Sequence, residues 1–343
     1  MIRVGIIGLG KMGISHYAVF NAQKDMKVVA ACDPSVFILA AFEKYNGVKC
    51  FKDYKSMIDQ AELDCVVVAT PTEFHAEIVR CALERNRHVF CEKPFSLNVK
   101  EGRELAELAK RKQLVNQVGY HCRFTGVFQK TKQLLSDKTI GDVYHFAMEV
   151  HGNVVKKKQG ITWRAQQAEG GGCLYDYASH GIDLINFLIG VPQKVTGTVL
   201  RNINSRDIED AVYTTFLYDN GISGHLSVNW CDAAYRKMEN QITIWGTNGK
   251  IIANRQEAKV FIKKQEHHNG LNQGWNMLYT TDVTNPVDYY LRGEEYSAQV
   301  EYFAKCINEK KFDNLNSFEN AVITDELVAR LTESGEKLGL PHG

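Results

Sequence analysis

The chain has 343 residues, 44% of them hydrophobic and 24% charged, with a formal net charge of +1. That length suits two domains better than one small core, and the charge balance gives no electrostatic case for nucleic acid or an anionic membrane as partner. No apolar run approaches the length of a membrane span, and a strand begins almost at the N-terminus, so neither a spanning helix nor a signal peptide is expected.

The first predicted element is a buried parallel strand, Arg3-Val4-Gly5-Ile6-Ile7, a short apolar run that ends at a glycine. Gly8-x-Gly10-x-x-Gly13 follows. In a dinucleotide turn, Gly8 permits the tight bend, Gly10 lets backbone approach a pyrophosphate, and Gly13 lets the next helix pack on the strand. That helix begins near Met12, so the amides of Lys11 and Met12 and the positive end of the dipole face the phosphates. The second strand, Val28–Cys32, ends at Asp33, 20 residues past Gly13. A carboxylate there accepts hydrogen bonds from ribose hydroxyls and repels a 2′-phosphate. Pro34-Ser35 adds no arginine for that phosphate. NAD is therefore favoured as cofactor, with NADP left open.

Asp64–Ala69 reads as a buried strand closed by Thr70-Pro71-Thr72, with a helix from about Glu73 that carries His75 near its start. The strand His88–Cys91 opens the fifth βα unit and runs into Glu92-Lys93-Pro94. Lys-Pro alone reads as an ordinary turn. At the carboxyl end of a strand in such a sheet, Lys93 faces the cofactor crevice, where an ammonium can serve proton chemistry on an alcohol or ketone. Thr70, Pro71, His75 and Glu92 are placed around the same crevice. A helix over Val99–Lys112 and a sixth strand, Leu114–Gly119, complete the first half.

The pattern changes after Arg123. A helix over Val127–Leu135 leads into strands at Tyr144–Val150, Val212–Tyr218, Gly221–Trp230, Gln241–Trp245, Lys250–Ala253 and Lys259–Lys263. Short turns such as Asp219-Asn220-Gly221 and Thr247-Asn248-Gly249 predict a mostly antiparallel sheet. A final helical stretch is expected from Tyr296 to Leu338. The domains are drawn as 1–122, dinucleotide-binding, and 123–343, for substrate binding and oligomerisation.

One segment of the second half carries chemistry, Gly170-Gly171-Gly172-Cys173-Leu174-Tyr175-Asp176-Tyr177-Ala178-Ser179-His180. The apolar spacing of Ile182, Ile185, Leu188 and Ile189 predicts a helix ending at Gly190. Asp176 and His180 then share one face, where a carboxylate can fix the tautomer of an imidazole. A helix-start aspartate beside a satisfied core histidine fits the same spacing. The glycine run suggests close approach to a ligand.

The remaining signals are weaker. The nine cysteines are scattered, form no C-x-x-C, and include Cys32, Cys65 and Cys91 in core strands, a pattern of reduced thiols in a cytoplasmic protein. His267-His268 has no partner ligands at useful spacing, so no metal is expected. Lys156-Lys157-Lys158 reads as a solvated loop.

Together the motifs GIIGLGKMG at 5–13, CD at 32–33, ATPTEFH at 69–75, CEKP at 91–94, GYHCRF at 119–124 and GGGCLYDYASHGID at 170–183 resemble the Gfo/Idh/MocA family of glucose-fructose oxidoreductase and inositol dehydrogenase. The resemblance implies a doubly wound Rossmann domain followed by an α/β domain with a large open sheet that makes dimer or tetramer contacts. It implies Lys93, Asp176 and His180 as the catalytic set and a cis bond between Lys93 and Pro94. Ala178 and Cys122 depart from the family pattern, where glycine and arginine are frequent. The expected activity is an NAD(P)-dependent hydride transfer to or from a secondary hydroxyl or ketone of a sugar, cyclitol or nucleotide-linked sugar. Tyr120, Arg123, Trp163, Arg164 and Tyr175 are expected to line the sugar together with Asp176 and His180. Two rivals stay open, an NAD-dependent glycosidase that oxidises its sugar transiently and a non-catalytic NAD-binding regulator.

Overall fold

The computed structural model describes residues 1–154, 166, 169–264 and 270–339. Contacts divide the chain into two compact units, Met1–His121 with Pro286–Asp325, and Cys122–Asn285 with Glu326–Gly343.

The first unit is a parallel sheet of β1 (Ile2–Ile7), β2 (Met26–Cys32), β3 (Lys49–Phe51), β4 (Cys65–Val68), β5 (His88–Cys91) and β6 (Asn116–Val118). Its strand order is β3-β2-β1-β4-β5-β6, so the order reverses between β1 and β4. Ligands of such sheets bind outside the strand carboxyl ends at that switch point. The helices α1 (Lys11–Ala22), α2 (Val36–Asn46), α3 (Tyr54–Gln60), α4 (His75–Glu84) and α5 (Val99–Arg111) connect the strands. Side chains start three of them: Ser35, Asp53 and Asn98 each accept a backbone N–H of the first turn.

The second unit, among the described residues, is a nine-stranded sheet. Its strands are β7 (Val143–His151), β8 (Lys194–Asn202), β9 (Ala211–Leu217), β10 (Ser223–Asn229), β11 (Glu239–Gly246), β12 (Gly249–Ala253), β13 (Glu257–Ile262), β14 (Gly274–Tyr279) and β15 (Glu336–Gly339). The pairs β7–β10 and β8–β15 are parallel and the others antiparallel. The helices of this part of the chain are α6 (Gly126–Ser136), α7 (Ser179–Leu188) and the short α8 (Thr280–Val283); α9 (Glu294–Glu309) and α10 (Phe318–Ser334) follow.

Burial explains the two sheets. In the first unit β4 is buried on both faces. Val4, Ile6, Val67 and Phe90 pack with Phe20 of α1, Leu39 of α2 and Phe303 of α9. Ile7, Val66 and Val89 face Ile58, Ile78, Leu105 and Phe318 on the other side. In the second unit β11 alternates, with Asn240, Ile242 and Ile244 buried while Gln241, Thr243 and Trp245 stay half-exposed. One face thus packs on helices, and the other is a platform of polar and aromatic side chains.

Two expectations are corrected here. Residues 286–325 belong to the first unit and not to the domain drawn as 123–343. The reason is physical: α9 buries Val300 and Phe303 in the first core, each worth about 1.5–3 kcal/mol. Asn314 and Asn316 also cover the free edge of β6, their amides donating to the carbonyls of Asn116 (2.7 Å) and Val118 (2.9 Å). The stretch predicted as helical through Leu338 is two helices separated by a break at Lys310, whose φ is +53°, and its tail is strand β15.

Candidate active site

The glycine turn after β1 is tight. Gly8 has φ +90°, and a Cβ at Gly13 would overlap the Gly8 carbonyl oxygen. Beside Gly10 nothing lies within 4 Å of where a side chain would stand, and no side chain caps the first turn of α1. Its leading amides are therefore open to an anion. The Asp33 carboxylate accepts the amides of Leu9 (2.8 Å) and Ser35 (2.9 Å). A carboxylate has about four lone-pair positions, so two remain for hydroxyl donors. At the end of β4 the Thr70 hydroxyl oxygen is buried without a protein partner. These residues fit a dinucleotide.

The Lys93–Pro94 peptide is cis, as the resemblance implies, and both flanks of Lys93 are tied to buried histidines. On one side Glu92 Oε1 lies 2.6 Å from His16 Nε2, and Glu92 Oε2 accepts the Lys93 amide at 3.2 Å. Burial pushes the Glu92 carboxyl up; the bond and charge of His16, with Lys93, outweigh it, and its pKa ends below the usual value. On the other side His75 Nδ1 is 2.9 Å from the Pro94 carbonyl and Nε2 is 3.0 Å from that of Thr70. Burial holds the His75 ring toward its neutral form against the pull of the two carbonyls. His75 and Glu92, expected to touch cofactor, are 1% and 8% exposed and committed inside the unit. Tyr120, expected to line the sugar, is 1% exposed within the first core.

His16 is the residue that sequence reasoning missed. Its signal was present: Gly13, His16, Val19 and Phe20 form the buried face of α1, and a histidine on such a face needs a partner.

In the second unit, Leu174–Ala178 is one π-helical turn leading into α7. Such turns concentrate at functional sites. Asp176 and His180 straddle the junction, and both are buried. Within the glycine run one position is tied to a protein neighbour. Gly172 has φ +105°, and a Cβ there would meet the Glu209 carboxylate. Glu209 Oε1 accepts the Leu174 amide at 2.8 Å, and burial pushes its pKa up. Glu209 thus caps the π turn. Tyr175 lines a cleft of about 130 Å³ with Arg206, Glu209 and Lys337.

Arg123 is one of the residues expected to contact the sugar. It is buried, and its Nε and one terminal nitrogen grip Asp183 of α7 at 2.7–3.1 Å. The fork is bidentate and fixes α7 to the turn before α6. Cys122 is buried, its sulfur accepting from the Asn240 amide. Trp163, Arg164, the lysine run 156–158 and His267-His268 lie outside the described residues.

Comparison with known proteins follows the same division. Residues 2–120 match the oxidoreductase family with an NAD-binding Rossmann fold, and residues 128–252 match the GFO/IDH/MocA C-terminal domain. A levoglucosan dehydrogenase of Pseudarthrobacter phenanthrenivorans is 27% identical over 319 residues, 81% of this chain and 80% of that protein. A myo-inositol 2-dehydrogenase of Thermotoga maritima is 26% identical over 276 residues, 78% of this chain and 80% of that protein. A 2,7-anhydro-N-acetylneuraminate hydratase of Escherichia coli is 26% identical over 265 residues, 75% of this chain and 69% of that protein. The solved structure of a levoglucosan dehydrogenase with NADH and levoglucosan superposes with a TM-score of 0.86 at 23% identity, over 97% of this chain and 96% of that one, which establishes a shared fold.

Proposed function

The chain belongs to the Gfo/Idh/MocA oxidoreductase family, and from that footing we propose an NAD-dependent dehydrogenase acting on a secondary hydroxyl or ketone of a sugar or cyclitol. The observation that carries this reading is the row of strand ends in the first unit. The glycine turn after β1, the orphaned Thr70 hydroxyl after β4 and the Lys93 turn after β5 lie on adjacent strands. Two of these relatives are by name dehydrogenases of polyhydroxylated rings, which supports the substrate class.

Gly8, Gly10, Lys11, Met12, Gly13, Asp33, Thr70 and Pro71 are assigned to the cofactor. Bound NAD supplies the hydride acceptor, and the reduced form the donor. Lys93 offers its ammonium to the reacting oxygen, favouring the alkoxide-like transition state over the alcohol. His180 takes the hydroxyl proton or returns it, and Asp176 orients His180 or binds a substrate hydroxyl. In this reading the first unit holds NAD, and the second binds substrate and pairs with further copies as a homodimer or homotetramer, in the cytoplasm.

The hydratase relative favours a second reading, transient oxidation with no net reduction of NAD, as an NAD-recycling glycosidase would also show. A panel of inositols, levoglucosan, methyl glucosides and nucleotide sugars with NAD separates the two. NADH absorbance accumulating in step with sugar consumed supports the dehydrogenase; sugar consumed with no NADH supports the second reading. His180→Ala is expected to keep NADH affinity and lose turnover. Wild-type turnover in that variant would return His180 to the role of a core histidine.

A further inference from the structure

We propose that His16 is a positioning residue for Lys93, acting through Glu92, so that the helix carrying the cofactor fingerprint also sets the catalytic turn. The inference rests on the assignment of Lys93 above.

His16 sits one turn into α1 and is 1% exposed. Its ring is held edge-on by Phe20 and Phe90, with centroids at 5.9 and 5.1 Å. That packing leaves Nε2 directed at Glu92 Oε1, 2.6 Å away. Glu92 is fixed from two further sides. Its second oxygen takes the Lys93 amide, and a Cβ at Gly119 would lie 3.0 Å from its first. A continuous chain of short contacts therefore runs from α1 to the backbone of Lys93.

Stability does not explain this arrangement. A buried acid–base pair pays desolvation on both members, and apolar residues of similar volume commonly do as well or better. What an apolar pair cannot do is hold the amide of the next residue and fix the direction in which that residue leaves the strand. A side chain displaced by about 1 Å can lose a factor of about 10² in rate, so a device that fixes the Lys93 backbone has a kinetic value that its stability lacks.

A double-mutant cycle tests the idea, on the full chain with NAD and the fastest sugar of the panel. His16→Leu is expected to lower kcat by roughly 10- to 100-fold, with NADH affinity and sugar KM close to wild type. His16→Gln keeps an N–H donor and should recover part of the loss. In a Lys93→Met background His16→Leu should change kcat by less than about threefold, because the group it positions is gone. A readout free of turnover accompanies it. After reductive ¹³C-methylation of the NADH-bound protein, the Lys93 methyl signal, identified by its loss in Lys93→Met, should shift or broaden in His16→Leu. Losses that multiply across the cycle, an unchanged kcat, or an unmoved Lys93 signal would each overturn the proposal. If Lys93→Met itself turns over normally, the assignment of Lys93 falls and this inference with it. If Lys93→Met is inactive while His16→Leu is unaffected, only the inference falls.

Discussion

Each unit buries an acid against a base, and the two pairs are built differently. In the first unit Glu92 meets His16 through one contact and gives its other oxygen to the Lys93 amide. In the second Asp183 is gripped by two nitrogens of Arg123, a base that does not deprotonate. The first pair spreads its bonds onto the neighbouring turn; the second joins two elements side chain to side chain. The first arrangement ties down the backbone at Lys93, and the second ties α7 to the turn before α6.

The largest test of that contrast is Lys93→Met, which keeps the stem and removes the charge. Turnover should fall by roughly 10²- to 10⁴-fold with thermal stability and NADH affinity nearly unchanged. A variant keeping more than about a tenth of wild-type turnover would show that Lys93 is not the catalytic lysine. Arg123→Met comes next and should act on stability, costing about 3–5 kcal/mol by leaving Asp183 buried without its fork. Urea unfolding measures it, and Arg123→Met with Asp183→Leu should recover part of the loss. Full stability with lost turnover would instead place Arg123 at the substrate and break the contrast.

Glu92→Gln is smaller, about 1.5–3 kcal/mol of stability at neutral pH, the scale of a hydrogen bond to a charged group. Its sign with pH is set by the lowered Glu92 pKa. A carboxyl depressed in the folded state stabilises above its unfolded pKa, and that share is lost as pH falls through the folded value. The lead of wild type over Glu92→Gln should therefore shrink on acidification below pH about 4.5; a lead that grows would contradict an ionised Glu92. The smallest effect is expected at Asp33, whose carboxylate disfavours a 2′-phosphate. Asp33→Ser should narrow the NAD-over-NADP preference by roughly tenfold, the scale of one partly screened charge pair. Calorimetry showing that wild type prefers NADP would refute this account of Asp33.

The parts of the molecule legible in the sequence are those where local pattern and burial coincide. Val66-Val67-Val68 is apolar on both faces and could only be an interior strand, and the alternation around Ile242 and Ile244 marks a sheet with one covered face. β8 escaped because its first half is exposed and polar and Gly197, with φ +62°, interrupts its register with β9. β3 is three residues long, and α2 exposes Val36 and Phe37, so its apolar residues do not mark one face. In the site, the glycine turn follows local chemistry, and the cis Lys93–Pro94 bond is implied by the family resemblance. The partners of Glu92 and Arg123 come from 76 and 60 residues away, a distance over which periodicity carries no information.

The return of residues 286–325 to the first unit bears on how the protein is made. The first unit's own sheet is translated by residue 121, but α9 and the asparagines that cover β6 are not. The ribosome must add 204 further residues (325 − 121) before that unit is complete. At about 5–20 residues per second this is a wait of roughly 10–40 s. During it Phe20, Phe90 and the edge of β6 lack their covering residues, so the nascent Rossmann sheet is a natural client for chaperones. Strict N-terminal-first folding, the usual order for chains of successive domains, is closed to this topology.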